Sequence, residues 1–151
     1  MNALASTSGW RYHDLVSVTP DVASPGELVP GDVVTAWRDM VACHAAISAA
    51  LERELGERHA LGVSEFEVLD RLAECPDGER RAQDLAESVH LSQSALSRLV
   101  DRLAKNALVE RCACDNDRRG IFVVLTAEGR RRQAEAAVTH RDVLARLLPA
   151  R

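Results

Sequence analysis

The stretch from Ala82 to Leu125 constrains the fold most, because its hydrophobic spacing changes from a helical to a strand pattern partway along. Ala82 to His90 reads as a short helix with Leu85, Ala86 and Val89 facing inward. Leu91-Ser92 breaks that pattern, and Ser92 is placed to cap a second helix to about Asn106. Leu91 and Leu96 are spaced as a hydrophobic staple across the cap, and Leu96, Leu99, Val100 and Leu103 form the buried stripe. Val109–Cys112 and Ile121–Leu125 then read as two short strands, separated by the polar tip from Ala113 to Gly120. Ala86 supplies the small residue where two tightly joined helices cross. Helix, turn, helix, strand, basic tip, strand is the order of a winged helix-turn-helix. A plain αα-hairpin with solvated Ser and Gln would share the first half of this pattern but not the ribbon that follows.

The second helix opens with Gln93, Ser94, Ala95, Ser97 and Arg98, side chains of the kind that reach base edges in a major groove. Ser92 and the free N–H groups of that helix end suit a phosphate. Arg118 and Arg119 sit at the hairpin tip, where a wing reaches a neighbouring minor groove. The charge distribution agrees with this reading better than the net charge of −4 does. Arg80 to Arg132 holds 11 Lys/Arg against 7 Asp/Glu, and the rest of the chain 8 against 16. A basic segment inside an acidic chain fits a phosphate-facing lobe, because neutralising phosphates releases counterions. A solvated charged face would look the same, so the charge supports the motif and does not replace it.

Around this lobe the chain reads as mainly α. Residues 1–32, punctuated by Pro20, Pro25, Pro30, Gly26 and Gly31, read as an extended arm. Asp32 is placed to cap a long helix from Val33 to about Arg58, with Val33, Val34, Trp37, Met40, Val41, His44, Ile47, Leu51 and Leu55 on one stripe. Ser64 through Glu67 looks like a capping box with Val63 and Val68 as its staple, and that helix runs to about Ala73 before Cys-Pro-Asp-Gly. Thr126 caps a last helix to about Leu148. The expected division is an arm over 1–32 and one domain over 33–151. Within that domain, 33–60 and 126–148 are dimerisation helices and 62–125 is the winged lobe.

The stretch RRAQDLAESVHLSQSALSRLVDRLAKNALVERCACDNDRRGIFVVLTAEGRR, and within it LSQSALSRLVDRL, LVER, DRRG and VLTAEG, resembles the MarR family of bacterial transcriptional regulators. The resemblance extends back to about Val33. It implies a homodimer, more often a repressor than an activator, whose two winged lobes address a pseudo-palindromic double-stranded operator. By the family pattern Gln93, Ser94, Ser97 and Arg98 read the major groove, and Arg102 on the same helix joins the DNA-contacting set. Arg119 matches the arginine that enters the minor groove, Asp117 orients it, and Arg118 is a phosphate contact or a solvated side chain. Arg81 stands where Ser or Thr commonly caps the first helix of the motif, which brings it toward phosphate; Asp84 compensates through the helix dipole. The resemblance also implies a small aromatic or anionic effector, for which Trp37, Met40, His44 and Arg71 are the residues to try. His44 on an apolar stripe is equally read as a core or interface histidine. Family members usually carry a further C-terminal helix after the position of Arg151; the expectation here is that the N-terminal arm substitutes for it or that the interface is smaller.

Other chemistries find less in the sequence. Cys112 and Cys114, two apart on a strand, share a face and could bind zinc with a histidine such as His90, or sense oxidants near Arg111. No Cys-x-x-Cys pair or second ligand cluster accompanies them, so structural thiols are expected and neither metal nor cofactor. Without a glycine-rich phosphate loop or a nucleophile elbow, an enzyme is not expected. A winged helix that binds protein rather than DNA would show an exposed apolar patch on the motif, where this chain carries Ser, Gln and Arg. No apolar run approaches the roughly 20 residues of a membrane span, and the N-terminus lacks a signal-peptide pattern, so a cytoplasmic protein is expected.

Overall fold

The structure is a computed structural model that describes residues 30–113 and 120–148. The described residues form five helices and one antiparallel sheet: α1 (Pro30–His59), α2 (Val63–Ala73), β1 (Glu79–Arg81), α3 (Ala82–Ser88), α4 (Gln93–Lys105), β2 (Val109–Ala113), β3 (Ile121–Leu125) and α5 (Ala127–Leu147). The chain divides into two units, Met1–Met40 and Val41–Arg151. Of the first, only the opening turns of α1 are described. The expected arm lies outside the described residues up to position 29, and 30–32 are helical. Asp32 therefore stands in the first turn of α1, where it complements the helix dipole, and is not its cap. Pro30 is tolerated there because a first-turn N–H has no intrahelical partner to lose.

The second unit is built on one core that includes Leu55, Phe66, Leu69, Leu85, Leu96 and Leu103. The start of α2 departs from expectation. Its N-cap is Gly62 and not Ser64, and the Glu65 carboxylate accepts from the Gly62 N–H at 3.0 Å. The staple moves with the cap, to Leu61 and Phe66, both buried. Ser92 and Thr126 cap as expected, accepting from the N–H groups of Ala95 at 3.2 Å and Gly129 at 2.9 Å. The turn between α3 and α4 is a Schellman motif. His90 adopts φ +54°, its N–H bonds to Glu87 O, and Leu91 N–H bonds to Ala86 O. Ala107 repeats this geometry after α4, with φ +56° and with Leu108 N–H on Leu103 O.

The expected two-stranded wing, β2 and β3, is present, and a third strand that the sequence did not mark extends its sheet. β3 is the central strand of a three-stranded sheet, pairing with β2 (Arg111 opposite Val123) and with β1 (Arg80 opposite Val123). Glu79-Arg80-Arg81 carries no β-branched or aromatic residue that would mark a strand. It becomes one because Gly78, at φ +71°, turns the chain and its carbonyl accepts from Leu125 N–H at 2.8 Å, which lays the next residues along β3. The root of the wing is locked to α5 by Thr126, whose hydroxyl donates toward the carbonyls of Ala107 at 2.7 Å and Leu108 at 3.0 Å. Gly129 is needed beside that lock, since a Cβ there would stand 2.0 Å from Leu108 O.

Candidate nucleic-acid interface

α4 separates its residues sharply by polarity. Leu96, Leu99, Val100 and Leu103 are buried, while Gln93, Ser94, Ser97, Arg98, Asp101, Arg102 and Lys105 are exposed. At helical spacing Ser94, Arg98, Asp101 and Lys105 form one outward row. Arg98 makes no ion pair or hydrogen bond with any described residue, so its guanidinium is free to approach a ligand. Ser92 and Ser94 hydroxyls lie 3.2 Å apart at the helix start.

The remaining predicted residues are less free. Arg102 turns away from the outward row toward α2, where its Nε meets Glu65 Oε1 at 3.1 Å. Glu65 thus holds the start of α2 with one oxygen and α4 with the other. The Ser97 hydroxyl accepts from Arg111 Nη2 at 3.1 Å, which leaves its own proton to donate. Arg81 is half-buried at the N-cap of α3, makes no cap with its side chain, and lays its guanidinium over the Phe122 ring at 5.8 Å. A Cβ at Gly120 would come within 3.2 Å of that guanidinium. Asp117, Arg118, Arg119 and Cys114 lie outside the described residues. Cys112 is exposed on β2.

The effector residues divide between the two units. Trp37 and Met40, in the first, are each 62% exposed. In the second, His44 is exposed and not a core residue, because the buried stripe of α1 begins only at Ala50 and Leu51. Arg71 is largely covered, with Nη1 on Glu74 Oε1 at 2.6 Å. A shallow depression elsewhere is lined by Glu57, Arg58, His59, Arg131, Arg132 and Glu135. Most of its arginines are already engaged: Arg131 holds Glu128 and Glu135 at 2.6 Å each, and Arg132 donates to His59 O at 2.7 Å. These bonds push the Glu128 carboxyl below its usual range.

One contact between the two candidate DNA-facing elements was not read from the sequence. Arg111 Nη2 reaches Ser97 O at 2.8 Å and Asp101 Oδ1 at 2.9 Å, joining β2 to the outward face of α4. The available signal was an aspartate four residues after Ser97, on the same helical face, with an arginine on the strand that follows the helix.

An amphipathic second helix behind a Schellman turn, with a ribbon packed at its end, defines a winged helix-turn-helix. The sequence model of the MarR family matches residues 61–121. AbsC, a MarR family transcriptional regulator from Streptomyces coelicolor, is 30% identical over 80% of each chain, with a TM-score of 0.74. Sco3205, a second regulator of this family from the same organism, solved in complex with DNA, is 29% identical over 83% of this chain and 78% of its own, with a TM-score of 0.75. NadR, solved in complex with 4-hydroxyphenylacetate, is 27% identical over 72% of each chain, with a TM-score of 0.59. No curated protein sequence matches the chain. The chain belongs to the MarR family, whose members are transcriptional regulators and not enzymes. Among the described residues no helix is long and apolar enough to cross a membrane.

Proposed function

We propose that the protein is a homodimeric, sequence-specific DNA-binding repressor that works in the cytoplasm and is released from a pseudo-palindromic operator by a small effector. The observation that carries this reading is the outward row of α4, in which Arg98 is exposed and pairs with no described residue, beside a sheet whose tip is basic in sequence. α4 enters the major groove, where Ser94, Ser97 and Arg98, with Gln93 at the helix start, address base edges and Ser92 addresses phosphate. The wing enters the adjacent minor groove with Arg119, oriented by Asp117 and flanked by Arg118. Arg81 and Arg102, both held by neighbours within the chain, take phosphate roles at most. Sco3205 in complex with DNA supports the nucleic-acid part of this reading.

The dimer rests on the exposed apolar turns of α1, which need a covering surface, and on α5 as the second dimerisation helix. The domain division follows from it: 33–60 and 126–148 for association, 62–125 for DNA. The effector rests on NadR in complex with 4-hydroxyphenylacetate, and Trp37, Met40, His44 and Arg71 are the residues for a phenolic or anionic ligand. The decisive experiment is a gel shift with duplexes selected from a random pool at two salt concentrations. A palindrome with half-sites about one helical turn apart, bound more weakly at high salt, is the expected result. Absence of salt-sensitive binding to any duplex would sink the proposal.

A further inference from the structure

Beyond Val109, the wing strand β2 has no buried side chain: Glu110, Arg111, Cys112 and Ala113 are all exposed. A cleft lined by Gln93, Ser97, Arg111 and Ile121 over Leu96 and Val123 separates this outer part of the sheet from α4. Core packing therefore does not fix the angle between the two DNA-facing elements at their outer ends. Arg111 spans the gap. One terminal nitrogen meets the Ser97 carbonyl at 2.8 Å, the Ser97 hydroxyl at 3.1 Å and the Asp101 carboxylate at 2.9 Å. The carbonyl has a second lone pair beyond its helical bond, so this contact costs α4 nothing.

Asp101 makes the arrangement informative. It stands in the outward row between Arg98 and Lys105, where a carboxylate facing a polyanion is repelled. Its favourable use at that position is local, as the anchor and charge partner of Arg111. Resting on the DNA-binding reading above, we propose that Arg111 is a positioning residue for operator recognition. Anchored on Asp101 and Ser97, it sets the wing against the reading helix so that the minor-groove and major-groove contacts fall in register.

The test compares Asp101→Asn and Arg111→Lys with the wild-type protein on a selected operator and on a scrambled duplex. Groove protection is read by hydroxyl-radical footprinting and by guanine N7 methylation, and thermal melts run alongside. Lysine keeps the charge but lacks the planar fork, and asparagine keeps the shape but removes the ion pair. Both variants should lose about tenfold in operator-to-scrambled discrimination, the usual weight of one misplaced specific contact. Minor-groove protection under the wing should fade while major-groove protection and melting temperature persist. An Asp101→Asn protein that binds the operator more tightly with discrimination intact would overturn the proposal, making Arg111 a plain phosphate contact that asparagine had released. Loss of both protections in step with a lower melting temperature would also overturn it, reducing Arg111 to a fold-holding residue. Asp101 is exposed on its helix, so its variant carries the test if Arg111→Lys is unstable. Wild-type protein that binds no duplex would overturn the proposed function and this inference together, whereas wild-type-like discrimination in both variants would overturn only the inference.

Discussion

On α4 the exposed side carries Ser94, Arg98, Asp101 and Lys105, and the apolar side, from Leu96 to Leu103, is buried within the same chain. On the first turns of α1 the exposed side carries Val33, Val34, Trp37 and Met40, between 47% and 62% exposed. Both are accessible helix surface, but they differ in what they leave unmet. The polar face of α4 can be met by water and by neighbours within the chain, as Asp101 is by Arg111. The stripe of α1 leaves large apolar side chains in water, and covering it gains about 25 cal/mol for each Å² removed. One helix is finished by folding, and under the proposed function the other is finished only by association. Under the proposed function the two meet, because a palindromic operator needs two reading helices held at a fixed spacing.

The harshest way to break this comparison is to make the α1 stripe polar. Under the proposed function, Trp37→Glu combined with Met40→Glu should convert the dimer to a monomer in sedimentation equilibrium and weaken operator binding by about 100-fold or more, the usual cost of losing a linked second site. The isolated lobe should still melt cooperatively. A double variant that remains dimeric would remove the stripe from the interface.

Next in size is Arg98→Ala, which should cost about 1–3 kcal/mol in operator binding and leave the melting temperature unchanged, since its guanidinium makes no hydrogen bond or ion pair with any described residue. Arg102→Ala should do the reverse on a smaller scale. Removing its bond to Glu65 lowers stability by less than about 1 kcal/mol, as for other exposed pairs, with a smaller effect on binding than Arg98→Ala. Competition gel shifts and urea melts on the two variants separate a reading residue from a bracing one.

That contrast also marks where the sequence was legible. Residues with local rules were readable: Ser92 and Thr126 as caps, the Leu96–Leu103 stripe, and both ribbon strands follow from spacing and capping chemistry within a few positions. What escaped depends on partners distant in sequence. Glu79–Arg81 is a strand only because Gly78 O finds Leu125 N–H, and Arg102 is turned aside only because Glu65 stands 37 positions earlier. The Ser64 cap failed for a subtler reason. Glu65 can reach back to any N–H three residues before it, so a glycine, with no side chain to advertise the role, took the position. His44 lies on the apolar period of α1, but period alone does not say where burial begins, and on α1 it begins at Ala50.

A third prediction uses the seam between α2 and α5, which lies within one chain. His140 is half-buried, with its ring 4.7 Å from Phe66, and burial lowers its pKa below the usual histidine value; Arg141 adds to this and Asp70 opposes it. The unfolded chain then binds the proton more readily than the folded one. This contribution to stability is complete above the ordinary histidine pKa of about 6.5 and is lost as pH falls through that value toward the lowered one. Urea melts should show lower stability at about pH 5.5 than at about pH 7.5, and His140→Phe should flatten the difference. Glu67 bears on the same comparison with the opposite sign. Burial raises its carboxyl pKa, so its contribution is lost as pH rises above the ordinary glutamate value, and Glu67→Gln should stabilise at neutral pH. Because the seam needs no partner, the His140 effect should not change with protein concentration. Dependence on concentration would place His140 at the association surface instead.

The smallest expected effect isolates the finished helix from the unfinished one. Ala107 holds φ +56° at the end of α4 and is exposed. A left-handed conformation costs a non-glycine residue about 1–2 kcal/mol, and glycine gives back about 0.4–1 kcal/mol through the greater freedom of its unfolded chain. Ala107→Gly should therefore stabilise by about 0.5 kcal/mol while leaving operator discrimination unchanged. The gain should be the same in the wild-type background and in the Trp37→Glu, Met40→Glu background, because the Schellman bonds from Ala107 to Ala104 and from Leu108 to Leu103 lie within one chain. If the gain vanishes in the monomeric background, the stability of α4 depends on association, and the separation drawn between the two helices fails.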